Sequence, residues 1–254
     1  MIRVENLSKE FKSGLIHKRI IKAIDNVSFE IEEGKTLGLV GESGCGKSTL
    51  SRVILKLIKA DSGKIFFSGK DISNYSFSQM RELRGNMQII FQHPDSALSP
   101  KKIIKNSLIE PLKIYRTYKN GESEELIKYY LKFVGVSEEI LSRYPHQVSG
   151  GQIQRVVIAR ALLLNPKFII LDEPTSMLDV SVQAQVIQVL RKVQKEFGIT
   201  YLFISHDIDL VRAVSDDIAI MLNGKIVETI KADRLYEDAT NEYTKMLIED
   251  FVSF

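Results

Sequence analysis

The chain has 254 residues, enough for one large domain or two small ones with a real core. Its formal net charge of +3 is too small to argue for nucleic acid, and no apolar run approaches the length that spans a bilayer. The single cysteine, Cys45, excludes an internal disulfide and any all-cysteine metal or iron–sulfur site, and the N-terminus lacks the long apolar stretch of a signal peptide, so a cytoplasmic protein is expected.

Residues 1–34 read as β structure. Ile2-Arg3-Val4-Glu5-Asn6-Leu7 and Val27-Ser28-Phe29-Glu30-Ile31 alternate apolar and polar side chains, as half-exposed antiparallel strands do. A basic loop with Lys12, His17, Lys18, Arg19 and Lys22 lies between them. The apolar run Thr36-Leu37-Gly38-Leu39-Val40 then predicts a buried strand, and Leu50, Val53, Ile54, Leu57 and Ile58 recur at helical spacing. Between strand and helix stands Gly41-Glu42-Ser43-Gly44-Cys45-Gly46-Lys47-Ser48-Thr49, a G-x-x-x-x-G-K-S pattern in the context that makes it a phosphate-binding loop. Glycines let the backbone curl so that successive N–H groups point at one anion, and the helix adds its positive end. Lys47 supplies a point charge for the terminal phosphates, and Ser48 a hydroxyl for Mg²⁺. A plain glycine turn before an ordinary helix explains neither the Lys-Ser pair nor its placement.

Farther on, residues 64–71 predict a strand and turn, and Met87-Gln88-Ile89-Ile90-Phe91 a second buried strand. From about residue 93 to 166 the pattern is helical. One helix is expected over 122–135, with Leu126, Tyr129, Tyr130, Phe133 and Val134 on one face. Core texture returns at Lys167. Phe168-Ile169-Ile170-Leu171-Asp172-Glu173 reads as a buried strand ending in two carboxylates, followed by a helix over 181–197 and a buried strand over 200–206. That succession implies a right-handed parallel crossover. Ile218-Ala219-Ile220-Met221-Leu222, Asn223-Gly224 and Lys225-Ile226-Val227-Glu228 predict a hairpin, and 241–254 a short helix.

Asp172 and Glu173 fall at the carboxyl edge of the predicted sheet, where open α/β sheets bind ligands. Asp172 is suited to hold Mg²⁺, and Glu173, on the other side of the pleat, to accept hydrogen bonds from an attacking water. A lone Asp-Glu pair is ordinarily a solvated loop; the apolar run before it and the phosphate loop elsewhere favour function. Gln92, at a strand end, can reach Mg²⁺ or that water. A lone His such as His206 is more often structural, yet at this edge a neutral imidazole can hydrogen-bond a γ-phosphate. Val148-Ser149-Gly150-Gly151-Gln152 opens another helix. Ser149 can cap it, and the glycines bare backbone N–H groups at its N-terminus, which makes a second anion site. A capped glycine turn alone leaves Gln152, Gln154 and Arg155 unexplained.

Together these motifs resemble the ATP-binding subunit of an ATP-binding cassette (ABC) transporter over essentially the whole chain. Gly41 to Ser48 is similar to the Walker A loop, and Ser149-Gly150-Gly151-Gln152 to the family signature, with Val148 where Leu is usual. Phe168 to Glu173 resembles Walker B with its catalytic glutamate. Gln92 and His206 match the Q-loop and switch histidine, and Ser176-Met177-Leu178-Asp179 the D-loop, with Met177 where Ala is common. Phe11 falls where the family stacks an aromatic residue on adenine. The resemblance implies an α/β fold: a P-loop NTPase core with a mainly parallel sheet, an N-terminal antiparallel β subdomain and an inserted α-helical subdomain. Residues 1–92 and 167–240 would be core and antiparallel β, 93–166 the helical subdomain with the signature, and 241–254 a tail.

It further implies ATP and Mg²⁺ as ligands, with Ser48, Gln92 and Asp172 around the metal and Glu173, His206, Lys47 and Gln92 in catalysis. Two such domains would face head to tail, with Ser149, Gly150, Gly151, Gln152 and Asp179 of one completing the other's ATP site. Partners would be a second ATPase subunit, identical or different, two membrane permeases and a substrate-binding protein, with no nucleic acid. The place would be the cytoplasmic face of the membrane, peripherally. Cys45 would sit beside the phosphates, so thiol modification is expected to block hydrolysis and ATP to protect.

A finer resemblance points to the dipeptide, oligopeptide and nickel importer group. It is carried by Val40 to Thr49, Ile90 to Pro100, Arg143-Tyr144-Pro145-His146 and Leu178 to Gln185. Glu242-Tyr243-Thr244-Lys245-Met246-Leu247 resembles that group's C-terminal His-Pro-Tyr-Thr segment, with Asn241-Glu242 in place of His-Pro. The cysteine-bearing extension of some peptide importers is not found here, which leans the expected cargo toward nickel or a metal chelate. Competing readings are a soluble ABC ATPase on ribosomes or DNA, and a P-loop small-molecule kinase. The first usually carries two cassettes or a long coiled-coil insertion; the second leaves Ser149 to Gln152 and His206 unexplained.

Overall fold

The structure is a computed structural model that describes residues 1–13, 19–115 and 122–252. His17 and Lys18 of the basic loop lie outside the described residues. The first 84 residues form β1 (Ile2–Ser13), β2 (Arg19–Ile31), β3 (Thr36–Val40), α1 (Lys47–Ile54), β4 (Ser62–Phe67), β5 (Lys70–Asp71) and α2 (Phe77–Leu83). The middle stretch forms β6 (Met87–Ile90), α3 (Ile104–Tyr115), α4 (Glu122–Phe133), α5 (Gly150–Leu162), β7 (Phe168–Asp172) and α6 (Val180–Phe197). The last forms β8 (Thr200–Ser205), α7 (Ile208–Val214), β9 (Asp217–Leu222), β10 (Lys225–Lys231), α8 (Leu235–Asp238) and α9 (Glu242–Val252). Two compact units result: Met1–Arg84 with Ile199–Phe254, and Gly85–Gly198. The fold is α/β.

The first unit holds an antiparallel sheet ordered β2-β1-β4-β5, whose alternating residues Ile2, Val4, Leu7, Val27 and Ile31 are buried. It also holds β3, hydrogen-bonded in parallel to both β8 and β9. Every residue of β3 and β8 is buried, the continuous apolar pattern of a covered parallel strand. β9 and β10 pair antiparallel through Asn223 (φ 48) and Gly224 (φ 83), the two left-handed residues a tight hairpin turn needs.

Helix α1 stops four residues short of the predicted apolar face. Lys56 adopts a left-handed φ of 51, so Leu57 turns outward and is 51% exposed while Leu55 is buried. Lys56 holds that break by donating its ammonium to the carbonyls of Ile72 (3.1 Å), Ser73 (2.7 Å) and Tyr75 (2.8 Å).

In the second unit β6 and β7 run parallel, with Met87 opposite Phe168 and Ile90 opposite Leu171. Helix α4 buries Ile127, Tyr130 and Leu131, and Val134 follows them at the same spacing. The face is thus one residue round from the predicted one, and Tyr129 is exposed. Phe133 packs on Phe197 at the end of α6, ring centroids 5.0 Å apart. Pro111 sits inside α3 and cannot donate to Ser107; Arg160 donates its Nε to that carbonyl instead, at 3.0 Å.

Candidate functional site

β3 delivers the chain into the loop 41–49. Gly44 (φ 85) and Gly46 (φ 115) are left-handed, conformations that a side chain disfavours. A Cβ on Gly41 would lie 2.1 Å from the Met221 carbonyl oxygen, and one on Gly46 2.1 Å from that of Ala23. The loop is therefore pressed against neighbouring backbone on one side. Gly224 N–H donates to the Cys45 carbonyl (2.9 Å) and pins it there. Gly46 stands at the N-cap of α1 with no side chain over the helix end, so the first N–H groups remain available to an anion. The Lys47 ammonium is buried and donates to the carbonyls of Gly41 and Glu42, the latter at 2.9 Å. Glu42, Ser43, Gly44 and Ser48 face solvent; Thr49 is half-buried. A curled backbone, an uncovered helix end and one held cation fit a polyphosphate.

Parallel register places His206 on the same edge. Val40 pairs with Ser205, so Gly41 and His206 leave adjacent strands side by side, and His206 is exposed. Asp207 then caps α7, accepting from Leu210 N–H at 2.9 Å. Phe11 lies on β1, 39% exposed, with the Lys9 ammonium 5.4 Å from its ring centroid.

Cys45 is 8% exposed, and burial pushes its thiol up even though Lys47 pulls the other way. Burial therefore slows this thiol, because the thiolate does the chemistry. Native Cys45 should label with a maleimide at pH 7.5 about tenfold more slowly than the unfolded chain. Equal rates would contradict this burial.

In the second unit the β6–β7 register carries past the strands. Ile90 is opposite Leu171, and two residues on Gln92 Nε2 donates to Glu173 Oε2 at 3.0 Å. Asp172 ends β7 and is buried. Glu173 does not continue the pleat as expected. Its φ of 49 is left-handed, a conformation that costs a non-glycine residue roughly 1–3 kcal/mol. The turn accepts it because the Glu173 carbonyl takes hydrogen bonds from Ser176 N–H (3.4 Å) and Oγ (3.3 Å).

Ser149 occupies the N-cap of α5, and Gln152 Oε1 accepts from its N–H (3.4 Å) and hydroxyl (3.2 Å). Gly150 and Gly151 form the first turn. A Cβ on Gly151 would meet Val182 Cγ1 of α6 at 2.5 Å, which explains the second glycine by packing as well as by exposure of N–H groups. Arg155 bonds Gln185 of α6. Asp179 stands at the N-cap of α6, exposed, between the exposed Met177 and Val180. Thus Gln92, Asp172 and Glu173 share one strand edge of this unit, while the signature and Asp179 open two helices. Sequence reasoning gave no role to Tyr243, whose hydroxyl accepts from Glu42 N–H at 3.1 Å. The only signal for it was the C-terminal segment's resemblance.

The sequence matches the family described as ABC transporter over residues 24–176. It is 44% identical to the oligopeptide transport ATP-binding protein AppF of Bacillus subtilis (strain 168), over 98% of this chain and 77% of that protein. It is 43% identical to the dipeptide transport ATP-binding protein DppF of Lactococcus lactis subsp. cremoris (strain MG1363), over 100% of this chain and 81% of that protein. Among solved structures, the dimeric post-hydrolysis state of the ATP-binding cassette MJ0796 bound to ADP and Pi is similar. Its TM-score is 0.82 at 31% identity, over 91% of this chain and 99% of that one. With its glycine loop, strand-edge carboxylate and helix-opening signature, the chain belongs to the ABC transporter family as an ATP-binding cassette.

Proposed function

We propose that the chain is the ATP-hydrolysing subunit of an importer for dipeptides or oligopeptides, acting at the cytoplasmic face of a membrane through two permease subunits and a substrate-binding protein. The observation that supports hydrolysis best is the Gln92–Glu173 bond, which holds a carboxylate at a strand end in a strained turn. Glu173 would accept a hydrogen bond from the attacking water. Lys47, the N–H groups of loop 41–49 and His206 would stabilise charge on the transferring phosphoryl group. Ser48, Asp172 and Gln92 would be the residues to hold a Mg²⁺, which would supply charge neutralisation. Phe11 would stack on the base.

Ser149, Gly150, Gly151, Gln152 and Asp179 would serve the ATP site of a second ATPase subunit paired head to tail; that the cassette MJ0796 is dimeric supports a pairing of two such chains. The functional division into 1–92 with 167–240, 93–166 and 241–254 belongs to the same reading, with 93–166 carrying the signature and meeting the permeases. The relatives are named for oligopeptides and dipeptides, and the lean toward nickel finds no support among them. Membrane vesicles carrying the assembled importer should take up labelled peptides in the presence of ATP. Uptake of Ni²⁺ without peptide uptake would overturn the cargo assignment.

A further inference from the structure

The phosphate loop is braced from the C-terminal end of the chain. The β9–β10 hairpin touches it once directly and once through α9. In the hairpin turn, Gly224 N–H holds the Cys45 carbonyl at 2.9 Å. Farther along, Glu228 fastens α9. Its Oε1 accepts from Thr240 N–H (2.8 Å), the Thr240 hydroxyl (2.6 Å) and Asn241 N–H (3.2 Å). Asn241 Oδ1 in turn accepts from Tyr243 N–H at 2.9 Å, so Asn241 starts the helix by capping it. Buried Thr244 and Leu247 face inward along α9. This chain of bonds leaves the Tyr243 hydroxyl 3.1 Å from Glu42 N–H, across 201 residues of sequence.

Glu42 immediately follows Gly41, and the Gly41 and Glu42 carbonyls are the ones that hold the Lys47 ammonium. A hydroxyl that fixes the Glu42 peptide therefore acts on the group that carries the loop's positive charge. We infer that Tyr243 is a positioning residue for ATP, setting the Glu42 end of the phosphate loop from α9, with Glu228 as the anchor that keeps α9 in place. The Glu42–Tyr243 contact is exposed, so water can replace the hydroxyl, but water does not fix the peptide plane. Loop order before nucleotide arrives lowers what ATP must organise on binding, so the effect falls on affinity rather than on the chemical step.

This inference rests on the reading that loop 41–49 holds ATP. The test compares wild type, Tyr243→Phe, Glu228→Gln, their double variant and Lys47→Ala in the full chain. Readouts are ATP binding by equilibrium dialysis, ATP hydrolysis in the complex assembled with its permeases, and thermal melting. Tyr243→Phe keeps the ring and removes the acceptor. Its Kd and KM for ATP should rise about fivefold, about 1 kcal/mol at tenfold per 1.4 kcal/mol, with kcat and Tm unchanged. Glu228→Gln should raise Kd by a similar factor, and the double variant should be no worse than the more affected single, because both act through one contact. Unchanged affinity in Tyr243→Phe, with Lys47→Ala still abolishing binding, would overturn the inference and leave the functional reading standing. A fall in Tm that accounts for the whole loss, or additive effects in the double variant, would equally overturn it. Absence of ATP binding by the wild type would overturn both.

Discussion

Glu173→Gln should retain ATP binding and lose hydrolysis by about 10²- to 10⁴-fold, the range a positioned acid–base group contributes. The substitution preserves size and keeps a partner for Gln92, so the turn at Glu173 survives while the hydrogen-bond acceptor for water weakens. Phosphate binding draws on loop 41–49 and is untouched. With hydrolysis blocked, ATP remains bound, and the paired ATPase subunits should persist as a closed dimer, visible as an ATP-dependent shift in sedimentation. Phosphate release near the wild-type rate would remove Glu173 from the role assigned to it.

Gly46→Ala should cost roughly 2–5 kcal/mol and abolish nucleotide binding. Two effects add: a side chain at φ 115 is strained, and its Cβ would sit 2.1 Å from the Ala23 carbonyl oxygen, a backbone atom with little room to yield. Gly69→Ala is the control. Its φ of 77 carries strain, but no atom lies within 4 Å of the added Cβ. It should lower Tm by no more than about 2–4 °C, as roughly 1 kcal/mol does in a chain of this size, and leave ATP affinity alone. Equal damage from both substitutions would mean that the close approach to Ala23 does not hold the loop.

The parts of this protein that sequence reveals are those where one residue type meets a local steric demand. Gly44 and Gly46 announce left-handed backbone, Asn223-Gly224 a hairpin, and the apolar runs of β3, β7 and β8 buried parallel strands. Where amphipathic side chains allow two solutions, sequence misleads. Tyr129 and Tyr130 both suit a helix face, and only packing against Phe197 decides that Tyr130 goes in. The early end of α1 depends on Lys56 finding three carbonyls between Ile72 and Tyr75, which no local pattern encodes. At the site, the residue types were legible but not their conformations. Glu173 looked like the next residue of a strand and is instead in a left-handed turn. The bond from Tyr243 to Glu42 joins segments 201 residues apart, beyond the reach of periodicity.

The most direct measurement is the fate of the γ-phosphate when the chain, assembled with its permeases, second ATPase subunit and loaded binding protein, is given ATP. Free inorganic phosphate should appear at a rate stimulated by the permeases and binding protein, and should fall to background in Glu173→Gln while ATP stays bound. Transfer of that phosphate to a small-molecule acceptor, or hydrolysis indifferent to the membrane subunits in a complex that does assemble, would contradict the account.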